Sequence, residues 1–199
     1  LKSTEKFYFI PHCFAYNLPN ESDINYDLLD NEYIICAGNH RDIDIFVNTL
    51  LSLPDKSGLV IAGEDDRKKW EHFKADNIQF KFNVPYTEYR KLIANAKLLV
   101  FPVRKSGPLR SLGQITVLHG VVFDIPVLSA DTFHLKDYFS KEEIWYYETG
   151  IKNSLSDSIE LIFSNKSLTE LKAKKAFERY KKNYTIKKYL DDIVRLCTV

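Results

Sequence analysis

Three stretches decide the fold: YIICAGNHRD at residues 33–42, LVIAGEDD at 59–66 and LLVFPVRKSGPLRSLGQ at 98–114. Each opens as an unbroken apolar run of strand length and breaks at a punctuated polar turn. A helix-like stretch follows each turn. Runs that are apolar throughout suit strands covered on both faces. A parallel strand feeding a helix aims the helix's unsatisfied N–H groups at one edge of the sheet, where they favour an anion.

The same rhythm extends along the chain. Ile43, Phe46, Val47, Leu50 and Leu51 recur at helical spacing before Pro54,. Further strands are expected at 78–82, 127–129 and 144–147, with helices at 65–74, across Tyr86 to Ala96, at 113–123 and near Leu135. Ser154 with Asp157 and Ser167 with Glu170 have the spacing of capping boxes opening two later helices,. Ile186, Tyr189, Leu190, Ile193 and Val194 stripe a terminal helix. Strands alternating with helices predict an α/β, Rossmann-like open parallel sheet with helices on both faces. Its ligand crevice lies beyond the carboxyl ends of the strands, where strand order reverses.

Composition narrows the function classes. The 199 residues are 45% apolar and 28% charged, with a formal net charge of +1. That length holds one full core, and near-neutrality leaves no global field to recruit nucleic acid, so an anion site must be local. Cys13, Cys36 and Cys197 are far apart without metal-type spacing, which suits a reducing, cytoplasmic setting,. No apolar run reaches the roughly 18 residues of a membrane span. The lysine-rich stretch 172–188 reads mainly as the solvated face of terminal helices and leaves room for peripheral contact with the inner face of a membrane,. Residues 1–31 read as a short strand at 7–10 and a polar connector, with the compact Rossmann-like body at 32–199. The abrupt start suggests a fragment.

The candidate chemistry lies in the turns. Gly38 lets the backbone bend, and Asn39, His40 and Arg41 place donors at a helix start, with Asp42 as its cap,. Arg41 either grips a phosphate or merely dresses the helix start. The long turn gathers Arg104, Lys105, Ser106, Gly107, Arg110, Ser111, Gly113 and Gln114. Glycine admits close backbone approach, serine donates, and arginine presents a fork, so the loop suits a diphosphate; its alternative is a solvated basic loop. His119, among apolar neighbours, is either a hydrogen-bonded core residue or a ligand contact,. GKS/T, GxGxxG, HExxH, GxSxG and CxxC motifs are all absent,.

YIICAGNHRDIDIFVNTLLSLP (33–54), GLVIAGE (58–64), IQFKFNVPYTEYRKLIANAKLLVFPV (78–103), SLGQITVLHGVVFDIPVLSADT (111–132) and RYKKNYTIKKYLDDIVRL (179–196) together resemble the C-terminal, donor-binding domain of GT-B glycosyltransferases of the retaining group 1 type. FYFIPHCFAYN (7–17) resembles the strand and loop that lead out of such an enzyme's N-terminal domain. The resemblance implies a nucleoside-diphosphate sugar donor, no metal or other cofactor, and an acceptor sugar or glycolipid held by an N-terminal domain. Bacterial surface polysaccharide or glycolipid synthesis is the implied setting. On this domain alone transfer is not expected.

By the same resemblance, Arg41 matches a basic diphosphate-binding position and Asn39 replaces the usual arginine beside Gly38. Asn83, Val84 and Tyr89 fall on the nucleotide base side. Gly113, Gln114 and Ile115 approach the donor phosphates, with Arg104 and Lys105 nearby. The family's two glutamates fall on Ser111 and His119, so neither carboxylate is present. His119 then faces ribose and is the sole, weak catalytic candidate. The alternative is a binding module that kept this fold without catalysis.

Overall fold

The structure is a computed structural model that describes residues 10–16, 18, 32–103 and 113–198. Six strands form one parallel sheet in the order β3-β2-β1-β4-β5-β6. They are β1 (Tyr33–Ala37), β2 (Ser57–Ala62), β3 (Ile78–Phe82), β4 (Leu98–Phe101), β5 (Val127–Ala130) and β6 (Trp145–Tyr147). The intervening helices are α1 (Ile43–Leu51), α2 (Glu64–Trp70), α3 (Tyr86–Ala94), α4 (Gln114–Val122) and α5 (Phe133–Lys136). After β6 come α6 (Ser154–Ser164), α7 (Lys166–Asn183) and α8 (Ile186–Cys197). Strand order reverses between β1 and β4, which pair Ile34 with Leu98, Ile35 with Leu99 and Cys36 with Val100. The turns after β1 and β4 therefore leave the sheet side by side.

The pleat sorts each strand into two cores. Ile35, Ala37, Leu59, Ile61, Leu99 and Phe101 face one side, under α3, α4 and the Tyr180 region of α7. Ile34, Cys36, Val60, Ala62, Leu98 and Val100 face the other, under α1 and α6. In β1, β2 and β4, where both faces bury apolar side chains, the strands read as continuous runs in sequence,. Phe14 joins the first core: its N–H donates to the Tyr184 carbonyl at 2.8 Å, so the packed body takes in the region around Phe14. Most of the 7–10 strand expectation lies outside the described residues.

The expected capping boxes do not form. Asn153 and Asn165 are the N-caps of α6 and α7, which places Ser154 and Ser167 inside the helices. The Ser154 hydroxyl instead accepts from the Glu148 N–H at 2.8 Å, tying α6 back to the end of β6. The terminal stripe forms α8, yet none of its residues is buried.

Candidate functional site

The switch point gathers the turn after β1 and the start of α4. Gly38 takes φ 101°, a left-handed value that favours glycine, and its N–H donates to the Ile61 carbonyl at 3.0 Å,. A Cβ there would stand 2.8 Å from an Arg41 Nη. The Asp42 N–H donates to the Pro102 carbonyl at 3.0 Å, binding the turn to the end of β4, while the Asp42 carboxylate accepts from the Ile45 N–H and caps α1,.

Arg41 points inward. It is 7% exposed; its Nε donates to the Ala37 carbonyl at 3.0 Å, one Nη to the Asn39 carbonyl at 2.9 Å and the other to Thr116 Oγ1 at 3.0 Å. The guanidinium lies 4.2 Å over the Phe101 ring,. Burial holds its pKa below the usual arginine value. Among the described residues no carboxylate pairs with it. The result is a buried cation directly beneath the Gly38–Asn39 turn.

On the other side α4 opens at Gly113, which has φ 92° and is the N-cap of the helix. The Val117 N–H returns to the Gly113 carbonyl at 3.0 Å, so the amides of Gln114, Ile115 and Thr116 precede the first intrahelical bond of α4,. Between the turns and α3 opens a cavity of about 440 Å³. Gly38, Asn39, Gly63 and Glu64 form one side, Asn83 and Val84 another, and Tyr16, Tyr86, Tyr89, Ile115 and His119 an aromatic-rich wall. Asn83 takes φ 51°, its N–H donates to the Ala62 carbonyl at 3.0 Å, and its side-chain amide donates to the Glu64 carboxylate.

His119 is 2% exposed and packs at ring-centroid distances of 4.9 Å from Phe14, 5.3 Å from Tyr16 and 5.3 Å from Tyr89. Its Nδ1 is 2.8 Å from the Ile115 carbonyl, which can only accept, so Nδ1 carries the hydrogen and Nε2 accepts from the Tyr86 hydroxyl at 3.2 Å,. Burial lowers its pKa from 6.5 to about 4, and the ring is neutral near pH 7. The unfolded chain binds this proton more readily, so the stabilisation is complete above about pH 6.5 and fades as pH falls towards about 4,. Over that window His119→Gln should flatten the fall in unfolding free energy by roughly 2–3 kcal/mol. Urea titrations of both proteins at pH 7 and pH 4.5 check this; parallel slopes would refute it.

The structure thus brings Gly38, Asn39, Asn83, Val84, Tyr89, Ile115 and His119 to one cavity. Arg41 lies beneath its floor, while Gly113 and Gln114 open α4. Arg104, Lys105 and Ser111 lie outside the described residues. Sequence reasoning missed Tyr16, Glu64, Tyr86 and Thr116. Thr116 had one faint signal, a hydroxyl placed just ahead of the apolar stretch VLHGVV. Among the described residues no cluster of histidine, cysteine and carboxylate groups is arranged for a metal, and no helix is long and apolar enough to cross a membrane.

No protein-family model matches this sequence, and no functionally curated protein matches it either. Solved structures do match. HepE from Anabaena, in complex with UDP-glucose, superposes with a TM-score of 0.71 at 14% identity, over 84% of this chain and 49% of HepE. Sucrose-phosphate synthase from Thermosynechococcus elongatus gives 0.70 at 16% identity, over 86% of this chain and 46% of the synthase. The C-terminal domain of the glycosyl transferase group 1 family protein LpcC from Francisella tularensis gives 0.59 at 18% identity, with 77% of this chain on 87% of that domain.

The fold is that of a C-terminal GT-B domain. The chain spans about half the length of HepE and of the synthase.

Proposed function

We propose that this GT-B domain holds a nucleoside-diphosphate sugar as the donor side of a glycosyltransferase. The observation that carries the reading is the buried Arg41 guanidinium, which has no carboxylate partner among the described residues and lies under a turn that lines the cavity. A cation removed from water without a counter-charge strengthens the attraction for an anion placed above it. The N-terminal amides of α4 add donors at the same rim, and the Tyr16, Tyr86 and Tyr89 wall offers flat surface for a base,. HepE, with UDP-glucose in its crystal, supports the choice of ligand class.

In this reading the domain's cation and amides stabilise the leaving diphosphate as charge develops, with no metal in that role. An acceptor sugar or glycolipid comes from an N-terminal half, and the setting is cytoplasmic surface-polysaccharide or glycolipid synthesis, peripheral to the membrane. Arg104, Lys105, Ser111, Gly113 and Gln114 complete the phosphate side in this proposal. One observation favours a second reading, a donor-fold module without turnover: position 119 holds a neutral, fully bonded histidine instead of an acid.

Calorimetry of the chain with UDP, GDP, ADP and their glucose conjugates tests the ligand class. Micromolar to millimolar binding of at least one nucleoside diphosphate is expected, about 4–8 kcal/mol of binding free energy. Silence from all of them at millimolar concentration would end the proposal.

A further inference from the structure

Among the described residues that line the cavity, Glu64 carries the one carboxylate. Two side chains hold it. Arg67, one turn further along α2, donates through one Nη to both carboxylate oxygens, at 3.3 and 3.1 Å. The Asn83 side-chain amide donates to the same group from the turn after β3. A carboxylate has about four acceptor sites, so these donors leave it able to accept from a ligand as well. Because it cannot donate, Asn83 must present its nitrogen there, which keeps the Asn83 side-chain oxygen as a further acceptor. Asn83, Val84, Pro85 and Tyr86 are consecutive, so both acceptors stand beside the aromatic wall. There the Tyr16 and Tyr86 rings, each partly exposed, lie 5.0 Å apart.

We infer that Glu64 is the specificity-determining residue for the donor's base and that it selects guanine. The inference deepens the nucleotide reading above and rests on it. A base lying on the tyrosine rings gives its face to the wall and its edge to the groups that border the wall, here Glu64 and Asn83. Both offer acceptors, so the fitting edge carries adjacent donors. Among the common bases guanine has such a pair, the ring N–H and the 2-amino group side by side. Uracil presents one N–H between two carbonyl oxygens, and those oxygens would face the carboxylate. Adenine and cytosine each offer one amine next to an acceptor nitrogen. The discrimination therefore comes as much from acceptors rejected as from donors received.

The experiment is calorimetry on the full chain with GDP, inosine diphosphate, ADP, CDP and UDP as probes; the inosine compound is GDP without its 2-amino group. GDP should bind tightest, about tenfold or more above UDP, with inosine diphosphate about threefold to tenfold weaker than GDP. Glu64→Gln, which sets a donor where an acceptor stood, should weaken GDP about tenfold and leave UDP within about threefold of its wild-type affinity. ADP, CDP or UDP binding as tightly as GDP would overturn the assignment and leave the nucleotide reading standing. An equal loss for every diphosphate in Glu64→Gln would overturn it too, because a merely structural carboxylate has no preference among bases. If that variant fails to fold, the wild-type ratio of GDP to inosine diphosphate still decides: equal affinities refute a carboxylate on the 2-amino group. A wild-type chain that binds none of the five instead brings down the nucleotide reading, and this assignment with it.

Discussion

Gly113→Ala should cost about 3 kcal/mol of stability and lower the melting temperature by roughly 6–12 °C. Two penalties combine. The residue has φ 92°, a left-handed value that costs an L side chain about 1–2 kcal/mol,. The new Cβ would also stand 1.8 Å from the Phe101 ring, an impossible contact that one of the two must relieve. Phe101 is fully buried in β4 and carries the Arg41 guanidinium 4.2 Å above its ring, so it has little freedom to retreat. Overpacking of this kind costs about 1–3 kcal/mol. The start of α4 would move instead, shifting the amides of Gln114 and Ile115 away from the turn. Scanning calorimetry checks the first effect and nucleotide calorimetry the second. A melting temperature within about 2 °C of wild type would show that the turn tolerates a side chain, contrary to this geometry.

β1 falls at 33–37, as expected, because a parallel strand buried on both faces writes itself as an apolar run, and the edge strand β3 falls at 78–82, also as expected, although its IQFKF alternates and is mostly half-exposed,. The adjacency of the turns after β1 and β4 was also legible, since a doubly wound order places those strands side by side,. Helix starts were less so. Ser154 has the right neighbour for a capping box, but the chain arrives through a left-handed Asn153, and the hydroxyl is taken by the Glu148 amide. Local spacing cannot report that competing partner. Tyr16 was invisible for another reason: it reaches the cavity from a segment without periodicity, and only tertiary packing against Tyr86 and His119 places it there. For Arg41 the sequence gives the charge and the turn, whereas the direction of the side chain depends on Thr116, 75 residues away in sequence.

That direction makes Arg41→Ala the second large effect. A surface arginine aimed at a phosphate could be removed with little change in stability, since exposed positions usually contribute within about 0.5 kcal/mol. Arg41 is 7% exposed and satisfies the carbonyls of Ala37 and Asn39 and the hydroxyl of Thr116. Its loss strands those acceptors and leaves a void over Phe101. At about 1–3 kcal/mol for each buried group left without a partner, and with partial relief by water, the expected cost is about 3–5 kcal/mol. For a chain of this size that is a fall of roughly 6–20 °C in melting temperature. Nucleoside-diphosphate affinity, measured well below the transition, should fall about tenfold or more as the cation beneath the turn disappears. Arg41→Lys separates the two contributions. An ammonium restores charge but has neither the planar fork nor the reach to meet three divergent acceptors, so affinity should recover further than stability does. Near-native melting of Arg41→Ala would mean that the guanidinium does not hold the turn from below. Arg41→Lys equal to wild type in both measurements would show that charge alone, without the fork, is what the site requires.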